Sequence, residues 1–288
     1  MPDQTATAAR SYLYVPGDQP ARLQRAAERG ADALIIDLED SVAPSAKDDA
    51  RTHAGRWITA ASRSSGAVWV RVNPGQAAAD IAATVWPGVT GVVVPKAEPA
   101  LLAQVGELLG QREPEIGLPA GSLAMLPLIE TAAGLLAAPA IAAAQRVARL
   151  GIGEADLAAE LNLRPGPGRE ELMPLRLQIV LASAAARIAA PVAPVATDFR
   201  DLSALRESTL AALRLGFRAR TAIHPAQLPV INEVFTPSAA EVRQAQQIVT
   251  AFETAERGGS GVITSGDGEM VDVAVIRSAR EVLARARR

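Results

Sequence analysis

Residues 123–134 read LAMLPLIETAAG, an apolar run that ends abruptly in a carboxylate. Residues 123–129 have the length and apolar content of a strand that is buried on both faces, as in a parallel sheet. Glu130 follows at once, and the small residues of the next segment allow a helix to begin close behind the strand. In parallel barrels, active sites lie where strands end in this way.

The same pattern recurs along the chain, where short β-branched runs alternate with alanine-rich helical stretches. The eight predicted strands are 12–16, 33–38, 68–72, 91–95, 123–129, 147–152, 192–197 and 220–224. The predicted helices lie near 19–29, 44–61, 77–84, 98–111, 131–144, 170–190, 202–215 and 226–235. Alternation of this kind indicates parallel pairing through right-handed crossovers. Eight units predict an α/β fold, a closed (β/α)₈ TIM barrel; an open doubly wound sheet is the alternative.

A further segment follows the eighth unit and is surplus to a barrel. We assign residues 1–235 to the barrel and 236–288 to a C-terminal helical extension. The extension is predicted to contain a helix near 238–257, a glycine-rich break at 258–268 and a last helix from about 273. It is expected to pack on the barrel or on a neighbouring subunit.

Composition excludes several classes of function. The formal net charge of −2 argues against a general nucleic-acid-binding protein. The chain has no cysteine, so it has no disulfide framework and no thiol nucleophile. The first residues, MPDQTATAAR, lack the features of a signal peptide, and charges and prolines interrupt the apolar runs. We therefore expect a cytoplasmic protein without a membrane span.

Two carboxylates, Glu130 and Asp156, follow adjacent predicted strands, so their side chains can converge. Converging carboxylates repel each other unless a cation lies between them. Mg²⁺ suits such a pair because it takes one or two protein carboxylates and completes its octahedron with water and substrate oxygens. The alternative is that Glu130 is a charge favoured by the dipole at a helix N-terminus.

Cations and further carboxylates follow other strands. Arg71 can grip a small keto- or hydroxy-acid through two parallel hydrogen bonds, or it can form a plain ion pair with Glu39 or Asp40. Glu39 and Asp40 could hold metal-bound waters or cap a helix. Lys96 could form a Schiff base but is expected to pair with the carboxylates. His224 is equally compatible with a role as a base and with a structural role.

The strand-end segments together resemble a known family, the HpcH/HpaI aldolase and citrate lyase β-subunit family, in its citrate-lyase-β-like branch. The matching segments include LYVPGDQPARL, DALIIDLEDSVAPSAKDDAR, VWVRVNP, VVVPKAE, LIETAAGLLAAPAIA, DLAAEL, TDFRDLSALR, AIHPAQLPVINEVFTPS and GEMVDVAVIRSAR. They occur in family order and cover nearly the whole chain.

This resemblance implies a (β/α)₈ barrel that uses Mg²⁺ to break or form a carbon–carbon bond beside a carbonyl, commonly in an acyl-CoA thioester. It implies that Glu130 and Asp156 bind the metal and that Arg71 holds the keto acid. It also implies that Asp272 is an acid/base group contributed to a neighbour's site in a homotrimer. The site residues expected from the residues and the resemblance together are, for catalysis, Asp272, Arg71 and Glu39, and for substrate binding, Arg71, Tyr14, Pro16, Gly17, Arg22 and Lys96.

The expected reaction is cleavage of a citramalyl-, malyl- or citryl-CoA type thioester to acetyl-CoA and a 2-keto acid: pyruvate, oxaloacetate or glyoxylate. The alternatives are a metal-dependent pyruvate or oxaloacetate aldolase acting on free hydroxy-keto acids, a lyase that uses Lys96 as a Schiff base, and a noncatalytic acyl-CoA-binding subunit. Two positions depart from the family pattern. Ala155 stands where a glutamate is usual before the metal aspartate, and Arg220 stands where a lysine is common.

Overall fold

The computed structural model describes residues 8–60, 66–257, 263–264, 270–271 and 273–286. Eight parallel strands form a closed barrel in sequential order, which confirms the predicted fold class. The strands are β1 Ser11–Pro16, β2 Ala33–Asp37, β3 Ala67–Arg71, β4 Gly91–Val94, β5 Ala124–Ile129, β6 Arg149–Ile152, β7 Ala189–Ala193 and β8 Ala219–Ala222.

Helices follow the strands around the barrel. They are α1 Pro20–Ala26, α2 Lys47–Ala60, α3 Ala77–Thr84, α4 Pro99–Glu115, α5 Ala132–Leu136, α6 Ala138–Ala142, α7 Glu154–Glu160, α8 Met173–Ala186, α9 Leu202–Leu215 and α10 Leu228–Phe235. Short 3₁₀ turns occur at Pro44–Ala46, Pro74–Gln76, Glu170–Leu172 and Pro225–Gln227. A proline begins three of these four turns, where its missing amide hydrogen and fixed φ cost little.

The structure corrects two details of the predicted elements. Strand β7 was predicted at 192–197 but runs from Ala189 to Ala193. Pro191 is tolerated inside β7 because it lies at the register shift between β6 and β7, where the ladder is interrupted. Pro194 lies beyond that shift and lacks the amide hydrogen that a central ladder needs, so the strand ends before it. Helix α7, which carries Asp156, was not predicted, because its seven residues are too few for a clear helical period.

The barrel interior is filled by side chains, which include Tyr12, Ile35, Trp69 and Leu126. The rings of Tyr12 and Trp69 lie 6.4 Å apart between centroids. Arg149, 1% exposed at the start of β6, donates to the carbonyl of Ala9 at 3.0 Å and to the Tyr12 hydroxyl at 3.1 Å. The barrel is therefore a packed core, and polar chemistry is confined to its ends.

The chain forms two compact units, Met1–Glu233 and Val234–Arg288. The second unit contains α11 Ala239–Arg257, α12 Val273–Ala286 and a two-stranded antiparallel sheet, β9 Ile263–Thr264 with β10 Met270–Val271. Its two helices pack around the buried side chains Ala245, Val249 and Ala279. The predicted division at residues 235 and 236 stays a prediction of domain organisation. Across the residues described here, no helix is long and apolar enough to cross a membrane.

Candidate active site

Glu130 lies directly after β5, at the carboxyl end of the barrel strands. Thr131, not Glu130, caps helix α5: its hydroxyl accepts a hydrogen bond from the amide of Gly134 at 3.0 Å. The Glu130 carboxylate therefore has no capping role, although it is buried with 4% of its surface exposed. A buried carboxylate that is not needed by the helix requires another partner.

One oxygen of Glu130 is oriented by the backbone of Lys96. The Lys96 amide donates to Oε1 at 2.7 Å. Lys96 adopts φ +47°, a left-handed conformation that is uncommon for residues other than glycine. Its side chain, 52% exposed, directs Nζ toward Glu39 at 3.4 Å. The structure thus uses the main chain of Lys96 to position Glu130, a contribution that residue type alone does not predict.

The other oxygen of Glu130 faces Gly153, which precedes helix α7. A Cβ atom at this glycine would lie 2.5 Å from Glu130 Oε2 and 2.6 Å from Glu130 Cβ. Only glycine therefore leaves room for the carboxylate in this position. Asp156 is exposed in the first turn of α7, three residues further along the chain.

The electrostatics of this carboxylate pair favour a cation. Burial, together with the negative charges on Asp156 and Glu39, raises the pKa of Glu130 to about 7, against the lowering effects of the Lys96 amide and of Arg71. Within the described part of the chain, no group of three or more His, Asp or Glu side chains is arranged to hold a metal. A pair of carboxylates such as Glu130 and Asp156 fits Mg²⁺, since Mg²⁺ retains several water or substrate ligands.

A second charged cluster lies at the ends of β2 and β3. Arg71 donates from Nε and Nη2 to the two oxygens of Asp37, each at 2.7 Å, and its Nη1 lies 2.9 Å from Glu39 Oε2. Asp40 is further away, at 3.4 Å. The ring of Tyr14 stacks under the guanidinium, 4.9 Å from its centre. The ion pair considered as an alternative for Arg71 is present, with Asp37 as its main partner.

In this cluster, Arg71 balances the charge of Asp37, and Lys96 lies close to Glu39. Burial acts to raise the pKa of Asp37, but the hydrogen bonds and charge of Arg71 outweigh it, so the pKa is below its ordinary value. Lys47 Nζ donates to the carbonyls of Leu38 and Glu39 at 2.6 and 2.7 Å, which holds the backbone after β2. Of the five N–H donors of Arg71, these contacts leave one on Nη2 without a partner among the described residues.

Two cavities open beside these clusters. The carboxylate cavity, of about 390 Å³, is lined by Arg71, Glu130, Asp156 and Arg169, among others. The arginine cavity, of about 450 Å³, is lined by residues of β1, α1 and the segment after β8, and the polar or charged side chains that line it are Tyr14, Arg22, Arg25, Arg29, Ser41 and His224. Tyr14, Ser41 and Ile223 line both cavities, so the two adjoin.

The structure separates the predicted site residues into groups. Tyr14, Arg71, Glu130 and Asp156 line the carboxylate cavity, while Pro16 and Arg22 line the arginine cavity. Glu39 and Lys96 do not line either cavity. Glu39 contacts Arg71, and the Lys96 amide contacts Glu130. Asp272 lies outside the described residues.

Gly17, predicted to bind substrate, and His224 also have structural roles. The Gly17 amide donates to the Asp37 carbonyl at 2.8 Å, so this amide is not a free donor for the substrate. His224 accepts from the Ala226 amide at 3.2 Å through Nδ1, and its ring stacks on Phe199 with 4.6 Å between centroids.

Sequence reasoning missed Arg169, in the loop after α7, and its buried neighbour Glu154. Glu154, 3% exposed, receives two hydrogen bonds from Arg176. Ala155, at the position where a glutamate was expected, is exposed and lines the carboxylate cavity. Arg169 stands thirteen residues after Asp156 in a loop without periodic pattern, so no local signal identifies it.

Comparison with known proteins extends this picture. The model of the HpcH/HpaI aldolase/citrate lyase family matches residues 10–225. The chain belongs to this family. Family relatives include the citrate lyase subunit beta of Leuconostoc mesenteroides subsp. cremoris, 33% identical over 95% of this chain and 92% of the relative. A (3S)-malyl-CoA thioesterase of Cereibacter sphaeroides is 37% identical over 96% of this chain and 94% of the relative.

A solved structure of another family member has the same fold. It is the CitE protein of Mycobacterium tuberculosis in complex with magnesium, acetoacetate and coenzyme A. The two chains superpose with a TM-score of 0.77 at 31% sequence identity, over 98% of this chain and 99% of CitE. The family resemblance found in the sequence is thereby confirmed.

Proposed function

We propose that this protein is a Mg²⁺-dependent carbon–carbon lyase that cleaves a 3-hydroxy acyl-CoA thioester to acetyl-CoA and a 2-keto acid. The observation that carries the proposal is the buried Glu130 carboxylate, positioned by Lys96 and Gly153 beside Asp156 and left without a cation of its own. The magnesium-bound and coenzyme A-bound CitE relative supports this class of reaction.

Glu130 and Asp156 would hold the metal. Bound Mg²⁺ supplies a Lewis acid that polarises a substrate oxygen. Arg71 would direct its remaining donor at the carboxylate of the acid, and Asp37 and Glu39 would keep its guanidinium in one orientation. We assign Glu39 to this positioning role, because it contacts Arg71 and does not line the cavity.

The arginine cavity is the proposed binding site for the coenzyme A portion. Arg22, Arg25 and Arg29 are exposed at its edge and carry the positive charge that phosphate groups require. Because this cavity adjoins the carboxylate cavity at Tyr14 and Ser41, one thioester can occupy both. Pro16 shapes the wall between α1 and the cavity without supplying a donor.

The reaction breaks one carbon–carbon bond. The substrate hydroxyl loses its proton and becomes the keto oxygen, the bond to the carbon beside the thioester breaks, and that carbon takes up a proton. Asp272 is the proposed proton donor, contributed by a neighbouring subunit of a homotrimer. Exposed apolar side chains on α8, Leu177 and Leu181, at 45% and 60%, support self-association of the barrel. Light scattering of the purified protein measures the oligomeric state.

The test is an assay of the purified protein with citramalyl-, malyl- and citryl-CoA in the presence of Mg²⁺. We expect at least one substrate to give acetyl-CoA and its keto acid, and EDTA to abolish the reaction. Absence of turnover with all three would refute the lyase proposal. Activity on free hydroxy-keto acids without coenzyme A would instead identify a pyruvate or oxaloacetate aldolase.

A thioesterase activity is the second candidate, because a relative at 37% identity is a (3S)-malyl-CoA thioesterase. Hydrolysis and cleavage give different products from malyl-CoA: malate and free coenzyme A in one case, glyoxylate and acetyl-CoA in the other. Chromatography of the products separates the two. Detection of a free thiol at the same rate as malyl-CoA loss, without acetyl-CoA, would favour the thioesterase.

A further inference from the structure

Three arginines surround one carboxylate on the wall of the carboxylate cavity near β6 and β8. Glu154 is the carboxylate, and Arg169, Arg176 and Arg220 are the arginines. Burial, together with the positive charges of Arg176 and Arg169, lowers the pKa of Arg220 to about 10, against the raising effect of Glu154. The group therefore carries more positive charge than Glu154 neutralises.

Two of the three guanidiniums are held by the protein. Arg176 makes two hydrogen bonds to Glu154. Arg220, on β8, donates to the carbonyl of Pro194 at 3.0 Å and to the hydroxyls of Ser208 and Thr209 at 2.9 and 2.8 Å. These two arginines are therefore held in place, and neither lines the carboxylate cavity.

Arg169 is different. Its Nη1 lies 3.8 Å from Glu154 Oε2, beyond hydrogen-bond distance, and its side chain is 44% exposed. Within the described residues, its guanidinium makes no hydrogen bond, and the residue lines the same cavity as Glu130 and Asp156. It is thus a partly exposed cation, at ion-pair distance from Glu154 but without a hydrogen bond, on the lining of a ligand-sized cavity.

The backbone of Arg169 is also unusual. Its φ of +56° lies in the left-handed region, and Gly166 and Gly168 precede it in the loop. Its amide donates to the Gly166 carbonyl, and its carbonyl accepts from Leu172, so the conformation is held at both ends. Strained residues that are held in this way concentrate at ligand sites.

Arg71, which also lines the carboxylate cavity, has too few free donors to bind two anions. Arg71 uses Nε and Nη2 on Asp37 and Nη1 on Glu39 and Asp40, which leaves its second Nη2 hydrogen for a single carboxylate. We propose that Arg169 binds a second carboxylate of the acid portion of the substrate, and that it makes this protein prefer dicarboxylic over monocarboxylic acids of the same length. This proposal rests on the proposed function, since it takes the carboxylate cavity as the acid site.

The test compares two stable four-carbon 2-hydroxy acids that differ only in the terminal group, malate and 2-hydroxybutyrate. Their binding to the full-length protein with Mg²⁺ is measured by titration calorimetry. The unmodified protein is expected to bind malate about tenfold more tightly, the size of one charge-assisted hydrogen bond. Arg169→Gln is expected to lose that preference, and Arg169→Lys to keep part of it.

Arg214→Gln is the matched control, because Arg214 is an exposed arginine at the end of α9 that lines neither cavity. It is expected to leave both affinities unchanged. Thermal unfolding of each variant verifies that Arg169→Gln is folded. A preference for malate that survives in folded Arg169→Gln would overturn the proposal.

A third ligand, coenzyme A alone, distinguishes the two anions that Arg169 could bind: a carboxylate of the acid and a phosphate of coenzyme A. If Arg169→Gln weakens coenzyme A binding and leaves the malate preference intact, Arg169 binds a phosphate, and the proposal is wrong. Failure of the proposed function would give a different result. In that case neither the unmodified protein nor the Arg169 variants would bind either hydroxy acid in a Mg²⁺-dependent manner.

Discussion

Two charged clusters lie at the same end of this barrel, and they solve the burial of carboxylates in opposite ways. At β2 and β3, Asp37 and Glu39 share the guanidinium of Arg71. At β5 and β6, Glu130 accepts from the amide of Lys96, is repelled by Asp156 and Glu39, and forms no ion pair within the described residues. The pKa of Asp37, the bidentate partner of Arg71, is lowered, whereas burial raises the pKa of Glu130 and also that of Glu39.

A charged residue at a strand end is therefore not by itself a sign of catalysis. A carboxylate that is paired within the protein builds the wall of a site, because its charge is already balanced. A buried carboxylate that lacks a cation is an incomplete site, because the missing charge must come from a ligand. Glu130 is the group of the second kind.

Glu130→Gln gives the largest expected effect. Removal of one of two protein ligands should lower Mg²⁺-dependent turnover by more than about 100-fold, with weaker Mg²⁺ binding in calorimetry. Glu98→Gln is the control, because Glu98 is exposed at the start of α4 and makes no capping hydrogen bond. Equal metal affinity in Glu130→Gln and the unmodified protein would remove Glu130 from the metal site.

Asp37→Asn tests the balanced cluster. It leaves Arg71 without its bidentate partner, so the free energy of unfolding in urea should fall by about 3 kcal/mol at pH 7. Asp40→Asn removes a carboxylate that is 62% exposed and 3.4 Å from the same arginine, and should cost less than about 1 kcal/mol. If the two substitutions cost the same, Asp37 is not the main support of Arg71.

Gly153→Ala probes the space beside Glu130 without changing any charge. The added methyl group would lie 2.5 Å from Glu130 Oε2, so the carboxylate must move, and Mg²⁺ affinity should fall about tenfold. Gly75→Ala serves as the comparison, because no atom lies within 4 Å of the Cβ position there. Unchanged affinity in Gly153→Ala would mean that the carboxylate is free to shift at no cost.

The smallest expected effect is the pH dependence of stability without metal. The pKa of Glu130 is raised to about 7 from an ordinary value of 4.5, so its stabilising contribution is complete below pH 4.5 and is lost as the pH rises through 7. In EDTA, the free energy of unfolding should fall by about 1 kcal/mol more between pH 5 and 8 in the unmodified protein than in Glu130→Gln.

Asp37 should act with the opposite sign. Its lowered pKa gives stability that is present above the ordinary value of 3.8 and is lost as the pH falls below it. Parallel pH curves for the unmodified protein and Glu130→Gln above pH 5 would show that Glu130 does not carry the raised pKa.

The local pattern of residues determined a great deal about this protein. Eight apolar runs between helical segments are sufficient to predict a closed barrel, because strand and helix periods are properties of neighbouring residues. The same pattern predicted Glu130, which directly follows an apolar strand, and Asp156, which lies shortly after the end of the next one. Strand β7 lies a few residues before its predicted position. The sequence does not show which backbone amides must donate to a neighbouring strand, so it does not show which prolines a strand can contain.

Tertiary structure decided what each charged group does. Arg71 meets Asp37 across 34 residues of sequence, and the Lys96 amide reaches Glu130 across the same separation. Arg169 enters the cavity from a loop without periodicity. These contacts exist only once the barrel has closed, because closure brings together strand ends that are distant along the chain. The sequence determined which residues could carry charge to the site, and closure decided which charges were neutralised there and which were left for a ligand.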